Sequence, residues 1–182
     1  MKKIFFGLVL LSIFGSFTAC EDPGGSGDLD ILIPTNPGRI SFMYQTVHTQ
    51  QYVGGTWTSN VEYPRLTIIS SRAELEQYQD DYENLYDFSR HEYSNNGFMD
   101  ATEGYSDAFF ADSFLVFVLL EETSSFIRHR VERVEDNGDI EIIRLVSDGP
   151  ITADMAQWHI IIELGKADKV EQYQAVFSEE RV

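Results

Sequence analysis

Four arginines, Arg128, Arg130, Arg133 and Arg144, stand within seventeen positions of a chain that has only 13 basic residues against 30 acidic ones. A guanidinium presents a planar fork of donors that matches carboxylates and phosphates, so a cluster held against the chain's own charge suits an anion. His129 lies inside the cluster, and Glu121 and Glu122 lie just before it. Two readings stay open. One is a solvent face laced with salt bridges; the other is a pocket for a carboxylate, a phosphate or an acidic peptide around Arg128, His129 and Arg130, with Glu121 or Glu122 at its side. A third arrangement, His129 and His159 with the Glu121 and Glu122 pair, holds the residue types of a hydrolase if folding brings them within hydrogen-bond reach.

Other chemistry is thin. The histidines His48, His91, His129 and His159 fall at spacings that define no metal site, and His91-Glu92 fails as a zinc-protease motif because position 95 is Asn. There is no GxSxG, Walker loop or GxGxxG, and neither cofactor nor metal is expected. Glu135 to Asp139 lacks the ligand spacing of a calcium loop and reads as turn chemistry. Trp57 with Tyr44, Tyr52 and Tyr63 offers stacking surface for a sugar or a partner, or simply half-buried strand positions.

The elements that must position these groups are mostly strands. Arg39 to Gln51 alternates and is β-branched, and with Thr56 to Tyr63 it predicts a hairpin across Gly54-Gly55. Leu66 to Ser70 predicts another strand. Ser71 with Glu74 forms a capping box, and Leu75, Tyr78, Tyr82, Leu85 and Tyr86 recur at helical spacing, which predicts one amphipathic helix. Phe88 to Gly104 has no period and is expected to be a long loop, with a single helical turn in Tyr105 to Phe110. Phe114 to Leu120 is a continuous apolar run, the mark of a strand buried on both faces. Phe126 to Val134 and Ile140 to Val146 flank Asn137-Gly138 and predict a hairpin. With those two as its loop, Val131 faces Arg144 and Glu132 faces Ile143, one side collecting Val131, Ile140 and Ile142 and the other Arg128, Arg130, Glu132 and Glu141. Trp158 to Leu164 is a last strong strand, and the tail is a short helix near Asp168 to Tyr173 or an edge strand at Ala175 and Val176. The expected fold is α+β and β-dominant, a mostly antiparallel sheet or sandwich of six to eight strands with one helix.

The N-terminus supplies an address. Lys2 and Lys3 precede an apolar stretch from Ile4 to Phe14 that falls short of a membrane span, and Thr18-Ala19-Cys20 resembles the lipobox of bacterial lipoproteins, with Phe17 in place of the usual leucine. The resemblance implies a signal peptide over residues 1–19, a lipidated Cys20, a Gly- and Pro-rich linker over 20–38 interrupted by an edge strand at Leu29 to Ile33, and one globular domain over 39–182. Cleavage removes Lys2 and Lys3 and no acid, leaving 11 basic against 30 acidic residues, a net of −19. Such a charge disfavours nucleic acid and anionic lipid surfaces as partners.

The order FLVFVLLEE, TSSFIRHRVERVEDNGDIEIIRL and QWHIIIEL is similar to the C-terminal domain of the protease-complex subunit PrcB family, over about Phe110 to Leu164. Thr123-Ser124-Ser125-Phe126 stands where that family has a Thr-Gly-Gly-Tyr turn, here without its glycines. This resemblance implies an accessory or binding protein and no enzyme. The expected function is therefore a lipid-anchored extracytoplasmic domain that binds a protein or peptide through Arg128, His129 and Arg130; glycan binding at Trp57 and a hydrolase are the alternatives. Mass spectrometry of the protein from its native host is expected to find Cys20 as the first residue and acylated. An intact Met1 or a free Cys20 thiol would refute the anchor.

Overall fold

The computed structural model describes residues 38–51, 61–89, 93–149 and 154–182; the expected signal peptide, the expected linker as far as residue 37, Cys20, Tyr52, Trp57 and His91 lie outside them. The first half runs β1 (Arg39–Ile40), β2 (Phe42–His48), β3 (Gln50–Gln51), β4 (Arg65–Ile69), α1 (Arg72–Tyr82), β5 (Tyr86–Asp87), α2 (Phe98–Thr102) and α3 (Phe109–Asp112). Then come β6 (Ser113–Glu122), β7 (Arg128–Glu135), β8 (Asp139–Val146), β9 (Ala156–Gly165), a 3-10 turn over Lys166–Asp168, and β10 (Gln174–Arg181). The fold is α+β and β-dominant, and it is a sandwich. One sheet has the order β2-β9-β6-β4, antiparallel throughout; the other has the order β1-β7-β8-β10; β3 and β5 form a small pair. Among the described residues there are ten strands where six to eight were expected, because β1, β3 and β5 are two-residue pieces.

The first sheet is the middle of three layers, and its sequence shows why. Even-numbered β6 residues, Phe114, Val116, Val118 and Leu120, pack with Trp158, Ile160 and Ile162 of β9 against Val131, Val134, Ile140 and Ile142 of the second sheet. Odd-numbered residues, Leu115, Phe117 and Leu119, pack on the other side with Leu75, Tyr78 and Tyr82 of α1 and with Phe98 and Tyr105. A strand with no solvent face has no reason to alternate, hence the unbroken apolar run. Each such buried side chain contributes about 1.5–3 kcal/mol by leaving water.

The capping box forms: Ser71 Oγ accepts from Glu74 N at 3.1 Å, while the Glu74 carboxylate reaches back to Ser70 N at 2.6 Å. The helix stops at Tyr82, sooner than its apolar spacing implied, and Tyr86 instead begins β5. The segment expected to be loop holds the short α2, whose Phe98 is fully buried.

Two strand expectations are corrected. Among the described residues β2 pairs with β9, and β1 with the far end of β7; residues 52–60, the expected turn and most of the second arm, lie outside them. Val61 to Tyr63, the described end of the expected second arm, is in no strand. The hairpin loop also has three residues, Asp136 to Gly138, with Gly138 N donating to Glu135 O at 2.9 Å. That is a turn closed by a glycine at φ +93°, which moves every partner by one. An irregularity at Glu132 moves them once more, so His129, and not Val131, faces Arg144, and Val131 faces Ile142.

Gly138 does a second job. Its carbonyl accepts Gln174 N at 3.1 Å, and a Cβ placed on it would lie 2.2 Å from the Gln172 carbonyl oxygen. The hairpin tip is thus the seat on which the tail turns into β10, an edge strand parallel to β8, as the second of the two tail readings foresaw. Gly138→Ala is expected to lower unfolding free energy by about 2 kcal/mol or more, with hydrogen exchange rising first along β10. Unchanged stability and unchanged protection of β10 would contradict this.

Candidate functional site

The register correction builds the site. His129 and Arg144 are cross-strand partners at the end of the second sheet, on the side that faces the first. Opposite them is Glu122, the last residue of β6 and buried. Its Oε1 accepts from His129 Nε2 at 2.9 Å and from Arg144 Nε at 2.8 Å, and its Oε2 accepts from Arg144 Nη2 at 2.5 Å. A carboxylate of one sheet is therefore clamped by two donors of the other, with Arg144 in the bidentate geometry that guanidinium and carboxylate share. Burial pushes the Glu122 carboxyl up, yet the hydrogen bonds and charge of its two partners outweigh burial and hold it below its ordinary value.

One residue earlier, Arg128 takes a different environment. Its guanidinium carbon lies 5.0 Å from the centre of the Trp158 ring and 5.6 Å from that of Tyr93, and Nη1 donates to the Ser125 carbonyl. Cation–π contacts of this kind stabilise by about 0.5–2 kcal/mol. Among the described residues Arg128 meets no carboxylate, whereas Arg130 pairs with Glu132 and Glu180, and Arg133 with Glu135 and Glu141. Burial lowers the Arg128 pKa from its usual value, the signature of a cation that has lost water without gaining an anion.

The surroundings of Arg128 are aromatic and partly open. Tyr93 and Phe126 are 42% and 48% exposed, with ring centres 6.2 Å apart. His48 reaches both Tyr93 and Trp158 edge-on, at 5.3 and 5.1 Å. Tyr93 has φ +66°, a left-handed conformation unusual for a bulky residue, and such strain collects at functional positions. The 123–127 turn is held from below, Ser125 Oγ donating to Asp154 Oδ2 at 2.5 Å.

The expected residues thus divide into three. Arg128 and His129 share one end of the sandwich; Arg130 lies on the outer solvent face, bridged to Glu132 and Glu180; Glu121 accepts from Gln157 Nε2 at 2.8 Å. Tyr44 is buried between the sheets and offers no stacking surface, and Tyr63 meets Tyr86 through their hydroxyls at 2.5 Å. Sequence reasoning missed Tyr93, Trp158 and Phe126 as parts of the site. Trp158 and Phe126 left a signal, each as the aromatic head of an expected strand, whereas Tyr93 left none.

The hydrolase constellation does not assemble. His129 meets Glu122, but His159 lies on the opposite face of the first sheet, where Nδ1 meets Thr49 Oγ1 at 2.7 Å and Nε2 meets Tyr78 Oη at 2.9 Å. The rings of Tyr78, Tyr86, Phe88 and Phe98 surround it. Burial drives its pKa down to about 3, so it is neutral at physiological pH. Among the described residues no group of three or more His, Cys, Asp or Glu could hold a metal ion.

A scan against protein-family models finds no match, and searches of curated proteins and of solved structures find no significant match.

His159 makes stability depend on acid with a definite sign. The unfolded chain takes up a proton near pH 6.5 and the folded one only near 3, so stability is intact above 6.5 and falls as pH drops between those values. Denaturation measured across that window is expected to show a slope of up to about 1.4 kcal/mol per pH unit from this group. The His159→Gln variant, though less stable, should lose that part of the slope; an identical slope in both proteins would contradict the assignment.

Proposed function

We propose that this chain is a lipid-anchored, extracytoplasmic binding protein that recognises a protein or peptide partner at the Arg128 end of the sandwich. The observation that carries the reading is a half-buried guanidinium that meets no carboxylate among the described residues, beside two exposed aromatic rings, in a chain whose net charge is −17. An acidic side chain or terminal carboxylate of the partner gives Arg128 its missing anion, and apolar neighbours of that group cover Phe126 and Tyr93. Arginine flanked by aromatics is also the composition that dominates binding energy at protein interfaces. His129 serves the site indirectly, fixing the start of β7 through Glu122. The signal-like N-terminus supports an extracytoplasmic location, and the resemblance of the segment from Phe110 to Leu164 to the PrcB-family C-terminal domain supports an accessory role.

A charge-assisted contact of this kind is worth about 1.5–3 kcal/mol, or roughly 10- to 100-fold in affinity. Screened against an array of peptides that vary in acidic and aromatic content, the protein is expected to select acidic sequences. Arg128→Ala should weaken the best of them by at least about tenfold, while Arg130→Ala, on the salt-bridged outer face, should leave it unchanged. Absence of acidic selection, or equal loss in the two variants, would refute the proposal.

A further inference from the structure

β10 is the last strand of the second sheet, and its outer edge has no strand beside it among the described residues. The hydrogen bonds at its two ends show which backbone groups that edge presents. Gln174 N donates to Gly138 O at 3.1 Å, Val182 N donates to Val146 O at 3.0 Å, and Val182 O accepts from Asp148 N at 3.3 Å. In a parallel ladder alternate residues turn both backbone groups to the same neighbour, so the even-numbered residues of β10 bond β8. Ala175, Phe177, Glu179 and Arg181 therefore turn their N–H and C=O groups to the open side, a ready template for another strand. We propose that β10 pairs antiparallel with β10 of a second copy of this chain, joining two four-stranded sheets across a two-fold axis at Phe177.

The strand lacks most of the devices that keep an edge single. It follows β8 for eight residues without a bulge, contains neither Pro nor Lys, and is exposed at every residue but Ala175. Val176 and Phe177 are 45% and 38% exposed. The three charges that it does carry have partners within the same copy: Glu179 lies 3.6 Å from Arg144, Glu180 2.7 Å from Arg130, and Arg181 3.7 Å from Asp148. A second copy thus meets a strip whose own charges are paired, and only the long-range field of two chains of net charge −17 opposes the approach.

A two-fold contact requires the strand to complement itself, and its sequence selects the register. An axis at Glu179, Glu180 or Arg181 sets like charges face to face, and an axis at Ser178 sets Glu179 against Phe177 and Glu180 against Val176. An axis at Val176 or earlier shortens the ladder to residues 174–178 or fewer. With the axis at Phe177 the ladder runs from Gln174 to Glu180, pairing Phe177 with itself, Val176 with Ser178, Ala175 with Glu179 and Gln174 with Glu180. No like charges are opposed. Ala175, Phe177 and Glu179 face the open edge, so about six backbone hydrogen bonds join the copies. The two Phe177 rings meet on the side toward the first sheet, where each lines a recess with Leu120 and Arg144, and they leave water together. An edge-to-edge contact is small, so the dimer is weak and depends on concentration.

The test is sedimentation equilibrium of the full chain carrying Cys20→Ser, which excludes association through a lipid, at about 0.5 M salt, where repulsion between copies is screened. A monomer–dimer equilibrium with Kd below about 1 mM is expected. Ala175→Pro removes a donor that faces only the open edge, and Phe177→Glu sets two carboxylates face to face on the axis; each should weaken the dimer at least about tenfold. Arg128→Ala should leave it unchanged, which separates this surface from the peptide site. In the same Cys20→Ser chain, Phe177→Cys places two thiols on residues whose Cα atoms stand about 5.5 Å apart, within disulfide reach, so mild oxidation should cross-link the copies. Val176→Cys, which faces Ser178, should not cross-link. A monomer at every concentration would leave the edge to some other strand and would overturn the proposal. So would a dimer indifferent to both Ala175→Pro and Phe177→Glu, or one that cross-links no better through Phe177→Cys than through Val176→Cys.

Discussion

The bond on which this molecule turns is the grip of His129 and Arg144 on Glu122. Elsewhere the two sheets meet through apolar side chains, which tolerate sliding and repacking; here a buried carboxylate meets donors in fixed directions. Taking the carboxylate out of water costs several kcal/mol, and only good geometry offsets that. The contact therefore specifies the alignment of the sheets at this end more than it adds net stability. Arg128 immediately precedes His129, so the same contact fixes where β7 begins and brings the Arg128 guanidinium to the Trp158 ring.

A second constraint comes from the middle sheet, which has no solvent face. β9 shows its two consequences side by side. Trp158 points toward the second sheet and helps hold Arg128, while His159, one residue on, points into the aromatic layer under α1 and must stay neutral there with both ring nitrogens engaged. Adjacent residues of one strand thus serve a surface site and a buried polar anchor. That parity, more than distance along the chain, is why His129 and His159 never meet.

Much of the architecture was legible in the chain itself. FLVFVLL announced a two-faced strand, Ser71 and Glu74 a helix start, and Asn137-Gly138 a hairpin, because each rests on local chemistry. What depends on non-local pairing was not legible. The partner of β2 is β9, more than a hundred residues away, and no turn signal encodes that. The hairpin register was misread by the length of its loop: a glycine at φ +93° closes three residues, and the extra one, with the irregularity at Glu132, exchanges Val131 for His129 opposite Arg144. Two residues of register separate a dispersed arginine face from a clamp. Tyr93 was invisible for another reason, lying in a stretch without periodicity and in a backbone conformation that only tertiary packing sustains.

These threads meet in one claim, that Glu122 and Arg144 are coupled across the sandwich and that the site is set by their coupling. A double-mutant cycle in unfolding free energy with Glu122→Gln, Arg144→Met and the pair tests it directly. Strong coupling, of about 2 kcal/mol or more, is the predicted result, the double variant being far less damaged than the sum of the single ones. Additivity within about 0.5 kcal/mol would show that the two side chains act independently and would contradict the account.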